Sequence, residues 1–124
     1  MKSYTKFYTE KLYPFQDGIL RLVRNLKTPF YLTGGTALSR HYFNFRYSDD
    51  LDLFVNQEPS YPALVSAIFK ELEIRARSLS FRIDYDRVQR GTDYTQLVLL
   101  HDAGFALKLD LINDVAPHFW RHYG

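Results

Sequence analysis

Phe30-Tyr31-Leu32-Thr33-Gly34-Gly35-Thr36-Ala37-Leu38 and, one short helix later, Arg46-Tyr47-Ser48-Asp49-Asp50-Leu51-Asp52-Leu53-Phe54 together decide how this chain folds. The second segment reads as an apolar strand carrying two carboxylates. Residues two apart in a strand project to the same side, so Asp50 and Asp52 point together while Leu51, Leu53 and Val55 take the buried positions. Two bare carboxylates so placed repel and raise each other's pKa. A divalent cation relieves that repulsion. Magnesium favours one or two carboxylates together with substrate phosphates, so an Asp-x-Asp strand makes half of a two-metal phosphoryl-transfer site.

The first segment supplies the complementary half. Phe30 to Thr33 is short, apolar and β-prone, and it ends in Gly34-Gly35; Thr36 to Tyr42 then has a helical composition. A strand, a glycine turn and a helix N-terminus present free backbone N–H groups and the positive end of the helix dipole to an anion. Side chains at the two glycines would block the close approach of a triphosphate. A glycine pair alone, or an Asp-x-Asp alone, is also what an ordinary turn or a solvated strand edge looks like. Their order and helix-length spacing give the combination its meaning.

A third carboxylate fits the same plan. Phe105 to Ile112 reads as a strand with Lys108, Asp110 and Ile112 on one face and Leu107, Leu109 and Leu111 on the other. Paired beside the Asp50 strand, Asp110 completes a carboxylate triad; the structural alternative is a salt bridge to Lys108.

These residues resemble the polymerase-β-like nucleotidyltransferase superfamily, and the wording Gly-Gly-Thr-Ala-Leu followed by Arg-x-Ser-x-Asp-Leu-Asp-Leu-Phe looks like its AbiEii/AbiGii toxin branch. The likeness covers roughly residues 28 to 115. Carried over by position, it implies that Gly34, Gly35 and Thr36 hold the nucleotide phosphates, and that Asp50, Asp52 and Asp110 are catalytic metal ligands. It also implies places near the phosphates for Arg46 and Ser48, and Lys108 is a charge partner for phosphate or for Asp110. The resemblance further implies Mg2+ or Mn2+, an NTP substrate, and transfer of NMP to a hydroxyl acceptor. The biological setting would be a toxin–antitoxin or phage-defence system, with tRNA or another RNA as acceptor, an antitoxin protein as partner, and a homo-oligomer as one form of the chain. Rival readings are a small-molecule, antibiotic-type nucleotidyltransferase and a catalytically incomplete nucleotide-binding module.

In that branch the third-acid strand leads into a helical region with further Lys and Arg motifs, whereas this sequence stops at Trp120-Arg121-His122-Tyr123-Gly124. The expectation is therefore a single catalytic domain over residues 1–124, with the C-terminal helical region apparently absent and transfer by the chain alone slow.

Composition sets outer bounds. A length of 124 residues suits one domain, and 46% hydrophobic with 24% charged content is ordinary for a globular protein. Ten Tyr and ten Phe exceed what a small core needs, which places some rings on a surface. A net charge of +2 does not by itself argue for nucleic acid. Arg75, Arg77, Arg82, Arg87 and Arg90 are interleaved with Glu71, Glu73, Asp84 and Asp86, as on a mixed solvated face. The absence of cysteine excludes disulfides and thiolate chemistry. No apolar run reaches membrane-spanning length and no leader opens the chain, so the expected address is cytoplasmic, with no membrane partner. His118 and His122 share helical spacing but read as a polar tail, and Asp84 and Asp86 read as surface carboxylates.

Periodicity completes the plan. Lys6 to Leu26 reads as a helix with a start or kink at Pro14, and Tyr61 to Arg77 as a second amphipathic helix. Strands are expected at Phe81–Asp86, Tyr94–Leu100 and Phe105–Ile112, with turns at Gly91-Thr92-Asp93 and Asp102-Ala103-Gly104. The predicted class is α+β: a minimal nucleotidyltransferase fold, its mixed β-sheet backed by helices on one face, its acids sharing the open face and the Gly34-Gly35 turn at its rim.

Overall fold

Among the described residues, Pro14 and Pro62 fix where two α-helices begin. Each lies in a first helical turn, where its fixed φ already suits the helix. In the computed structural model, which describes residues 6–32 and 50–115, helix α1 is Tyr13–Asn25 and helix α2 is Tyr61–Arg75. A π-helical turn, Tyr8–Leu12, precedes α1. Pro14 removes the N–H that the Glu10 carbonyl would use and crowds that carbonyl, which accounts for the wider turn ahead of it.

Among the described residues six strands form one sheet: β1 Tyr31–Leu32, β2 Asp50–Asn56, β3 Phe81–Ile83, β4 Gln89–Arg90, β5 Tyr94–His101 and β6 Ala106–Asp114. Their order is β1-β2-β6-β5-β3, and β4 pairs with β5. Strands β2 and β6 run parallel and every other pairing is antiparallel. The sheet is therefore mixed, as expected. The chain leaves β2 through α2, runs out to β3, and returns through β5 so that β6 fills the place beside β2.

Alternation along the central strands builds the core. Leu51, Leu53 and Val55 from β2, Leu97 and Leu99 from β5, and Leu107, Leu109 and Leu111 from β6 are buried on one sheet face. They join Ile19, Leu22 and Val23 of α1 and Val65, Ile68 and Leu72 of α2 in a single apolar cluster. Each fully buried leucine contributes about 1.5–3 kcal/mol relative to exposure. At the start of α2 the buried Tyr61 hydroxyl donates to the Leu111 carbonyl and meets the Thr95 hydroxyl at 3.2 Å, locking the helix to the sheet.

Two local features differ from the sequence expectation. The strand at Phe81 ends at Ile83 rather than at Asp86, because the Asp84 carboxylate accepts the Asp86 N–H at 3.2 Å and pairs with Arg87 at 3.1 Å, closing a 3-10 turn over Tyr85–Arg87. Short strand β4 was not anticipated. The turns fall where expected, and Gly104 takes φ +96 between β5 and β6, a conformation that favours glycine. The interleaved charges are indeed a solvated face: Arg75 pairs with Glu71 at 2.9 Å, and Arg90 lies 4.9 Å over the Phe69 ring.

Candidate active site

The register of β2 against β6 settles which side chains meet. Asp50 is opposite Lys108 and Asp52 is opposite Asp110. Residues in register on neighbouring strands lie about 4.8 Å apart and share a face. All four therefore occupy one side of the sheet, opposite the leucine layer and the helices. Each is half-buried. Continuing across β5 and β4, Asp110 is opposite Gln96, and Gln96 is opposite Gln89, so Asp52, Asp110, Gln96 and Gln89 form one polar row over four strands.

Asp52 carries the electrostatic stress of this row. Burial pushes its carboxyl up from the ordinary aspartate value, the charge of Asp110 and a hydrogen bond to it add to the rise, Asp50 adds further, and Lys108 partly offsets them. A hydrogen bond between two carboxyls holds only while one keeps a proton. Lys108 Nζ stands 3.6 Å from Asp50 Oδ2, and the charges of Asp50 first and Asp110 second raise its pKa. The lysine's closest ion-pair partner is thus Asp50, across the strand pair, rather than Asp110 on its own strand.

Asp110 is held by two side chains of β5. The Tyr94 hydroxyl donates to its Oδ1 at 3.2 Å and the Gln96 amide donates to the same oxygen at 3.0 Å. The second amide hydrogen of Gln96 goes to the Tyr94 oxygen at 2.9 Å, closing the network. Burial, then the Asp110 charge, keeps the Tyr94 phenol protonated by raising its pKa. Sequence reasoning placed β5 but assigned these two residues no role. A glutamine inside an otherwise apolar strand, two positions from an exposed tyrosine, is the signal that marks them.

Among the described residues, no three acidic or histidine side chains converge into a ready-made metal cage. The donor set nevertheless fits a hard divalent cation. Magnesium is held by one or two carboxylates plus phosphate oxygens rather than by an all-protein cage. Asp52 and Asp110 offer that pair side by side, and Lys108 engages Asp50. Gly34, Gly35, Thr36, Arg46 and Ser48 lie outside the described residues. Two surface depressions, of about 390 and 180 Å3, are lined by other residues.

A mixed sheet backed by helices, with an Asp-x-Asp strand parallel to a strand bearing a third acid in register, is the minimal nucleotidyltransferase fold, and the protein is a nucleotidyltransferase. The family model described as the nucleotidyl transferase AbiEii toxin of type IV toxin–antitoxin systems matches residues 20–118, and the chain belongs to that family. No curated protein and no solved structure gives a significant match. Among the described residues, no helix is long and apolar enough to cross a membrane.

Proposed function

We propose that this toxin-family nucleotidyltransferase transfers a nucleoside monophosphate from an NTP to a hydroxyl of an RNA acceptor such as tRNA, with an antitoxin protein as its partner in the cytoplasm. The observation that carries the reading is the register pairing of Asp52 with Asp110, flanked along the same strands by Asp50 and Lys108. Asp50, Asp52 and Asp110 would hold Mg2+ or Mn2+, which supplies charge neutralisation for the triphosphate and the attacking oxygen.

The chain's own groups do the positioning. Gly34, Gly35 and Thr36 cradle the triphosphate, with Arg46 and Ser48 beside it, and Lys108 exchanges its contact with Asp50 for phosphate oxygens. Asp110, steadied by Tyr94 and Gln96, accepts the hydrogen bond of the acceptor hydroxyl and orients it. The hydroxyl oxygen bonds to the α-phosphorus as the bond to the bridging oxygen of the β-phosphate breaks. Pyrophosphate leaves with that electron pair, and the hydroxyl proton passes to solvent.

The test incubates the purified chain with α-labelled NTPs, a divalent cation and total tRNA, beside an Asp50→Ala control. The expected result is label in RNA that depends on Asp50. Label on a small hydroxylated compound instead would move the function to small-molecule modification. Nucleotide binding with no transfer to either acceptor would make the chain a nucleotide-binding module.

A further inference from the structure

One register step from the acids, the open sheet face changes character. Tyr31 is opposite Phe54, Phe54 is opposite Ile112, and Ile112 is opposite Tyr94, so these four side chains form a continuous row across β1, β2, β6 and β5. The row runs alongside Asp52 and Asp110, displaced by two residues, about 6.6 Å along the strands. None of the four belongs to the apolar core or packs against its edge. Tyr31 and Tyr94 are 45% and 39% exposed, and both are therefore large apolar surfaces that the fold leaves to solvent.

The rings are also held in place. The Tyr31 hydroxyl donates to Asn56 Oδ1 at 3.1 Å, and the Tyr94 hydroxyl donates to Asp110 at 3.2 Å. Each phenol is pinned at its polar end. The rings of Tyr31 and Phe54 lie 6.3 Å apart and only 33° from parallel, so the row presents a shallow, ordered apolar shelf.

We infer that this Tyr31–Phe54–Ile112–Tyr94 row is a stacking shelf for the terminal base of the acceptor RNA strand, a deepening that rests on the transfer chemistry proposed above. Aromatic shelves on sheet faces recognise single-stranded bases because every base has a π-face, and the stacking is tolerant of sequence. The assignment to the acceptor rather than to the NTP follows from the order of rows. The Asp50–Lys108 pair, with the lysine that answers phosphate charge, lies on one side of the Asp52–Asp110 row; the shelf lies on the other. Tyr94 belongs to the shelf and touches Asp110, the acid assigned to the acceptor hydroxyl. A hydroxyl placed at Asp110 leaves its own base within reach of the shelf.

The test measures binding without chemistry. A fluorescent single-stranded RNA hexamer and, separately, an NTP are titrated into the full chain and into Tyr31→Leu, Phe54→Leu, the double variant and Tyr31→Phe. The leucine changes keep an apolar side chain and remove the ring, and thermal melting confirms that each variant folds; Tyr31, the most exposed ring of the row, gives a readout even if Phe54→Leu fails to fold. The expected result is RNA affinity reduced about tenfold or more in the double variant, Tyr31→Phe within about twofold of the parent because its ring remains, and NTP affinity unchanged. A hexamer lacking its 3′-terminal base should bind the parent as weakly as the intact hexamer binds the double variant. Equal RNA affinity in the parent and double variant overturns the shelf, as do a parent that binds no RNA and a loss confined to NTP, which would assign the row to the nucleotide's own base. Asp50-dependent labelling of RNA alongside unchanged hexamer binding would remove the shelf and leave the transfer reading standing. Shelf-dependent hexamer binding without any labelling would do the reverse.

Discussion

Asp52→Asn should make the protein more stable and inactive at once. In register on parallel strands, Asp52 and Asp110 leave backbones about 4.8 Å apart, and that spacing sets the scale of their repulsion. Two unit charges at that distance repel by about 1 kcal/mol in bulk water and about 3.5 kcal/mol at an effective dielectric of about 20. The site is half-exposed and Lys108 offsets part of the repulsion, so the relief on substitution is about 1 kcal/mol, or about 3–5 °C in Tm for a domain of this size. The sign depends on pH. Because burial and Asp110 raise the carboxyl of Asp52 in the folded state, the folded protein holds that proton more tightly than the unfolded chain does. Stability is lost as pH rises from the unfolded value through the folded one. The gain from asparagine is accordingly full at pH 8 and gone in acid, where Asp52 is protonated. Melting both proteins at pH 8 and pH 4 without divalent ions checks this. A divalent cation added at pH 8 should raise the Tm of the parent more than that of the variant, and the labelling assay should show no transfer by the variant. A lower Tm for Asp52→Asn at pH 8, or a gain independent of pH, would refute the claim that the row is strained by its own charge.

Gln96→Leu should lower kcat about 5–30-fold with little change in KM for NTP, since it removes one hydrogen bond to the Asp110 carboxylate worth about 1–2 kcal/mol; Tyr94→Phe, which keeps the ring, should show the same split, and steady-state kinetics separates the two constants. His101, stacked at 4.5 Å on Phe105 and accepting the Ala103 N–H at Nδ1, has its pKa lowered chiefly by burial. Its contribution to stability is thus complete above its ordinary value and lost as pH falls through the folded value, and His101→Phe should flatten the decline of Tm between pH 7 and pH 5. On the proposed phosphate role of Gly35, replacing it with valine should weaken NTP binding in a titration more than it lowers Tm, because a side chain there would block the phosphates.

The sequence was most legible where period-2 alternation carried the information. Leu51, Leu53 and Val55 against Asp50 and Asp52, and Leu107, Leu109 and Leu111 against Lys108 and Asp110, assign both faces of β2 and β6 by pattern alone. Alternation does not give the partner strand or the register. Nothing local says that Asp52 meets Asp110 rather than Lys108; that follows from the parallel placement of β6 between β2 and β5. The same gap hid Tyr94 and Gln96, whose meaning comes only from being opposite Ile112 and Asp110. The strand at Phe81 was overextended because Asp84 fits an alternating pattern while its side chain favours a turn.

A half-buried row with mutually repelling acids survives because of what lies beneath it. The residues flanking the acids, Leu51, Leu53, Leu109 and Leu111, are at most 2% exposed, so the strands that carry the repulsion are also firmly fixed by the core. Close packing there prevents β2 and β6 from separating to relax the carboxylates, and a one-residue slip would drive every leucine to the open face. The charge is thus confined to a geometry that only a proton, a lysine or a bound cation can ease. The sheet supplies a fixed carboxylate spacing on its polar side in proportion to how completely it buries the other side. For that reason the proposed catalytic acids are best located through the buried leucines that alternate with them along β2 and β6.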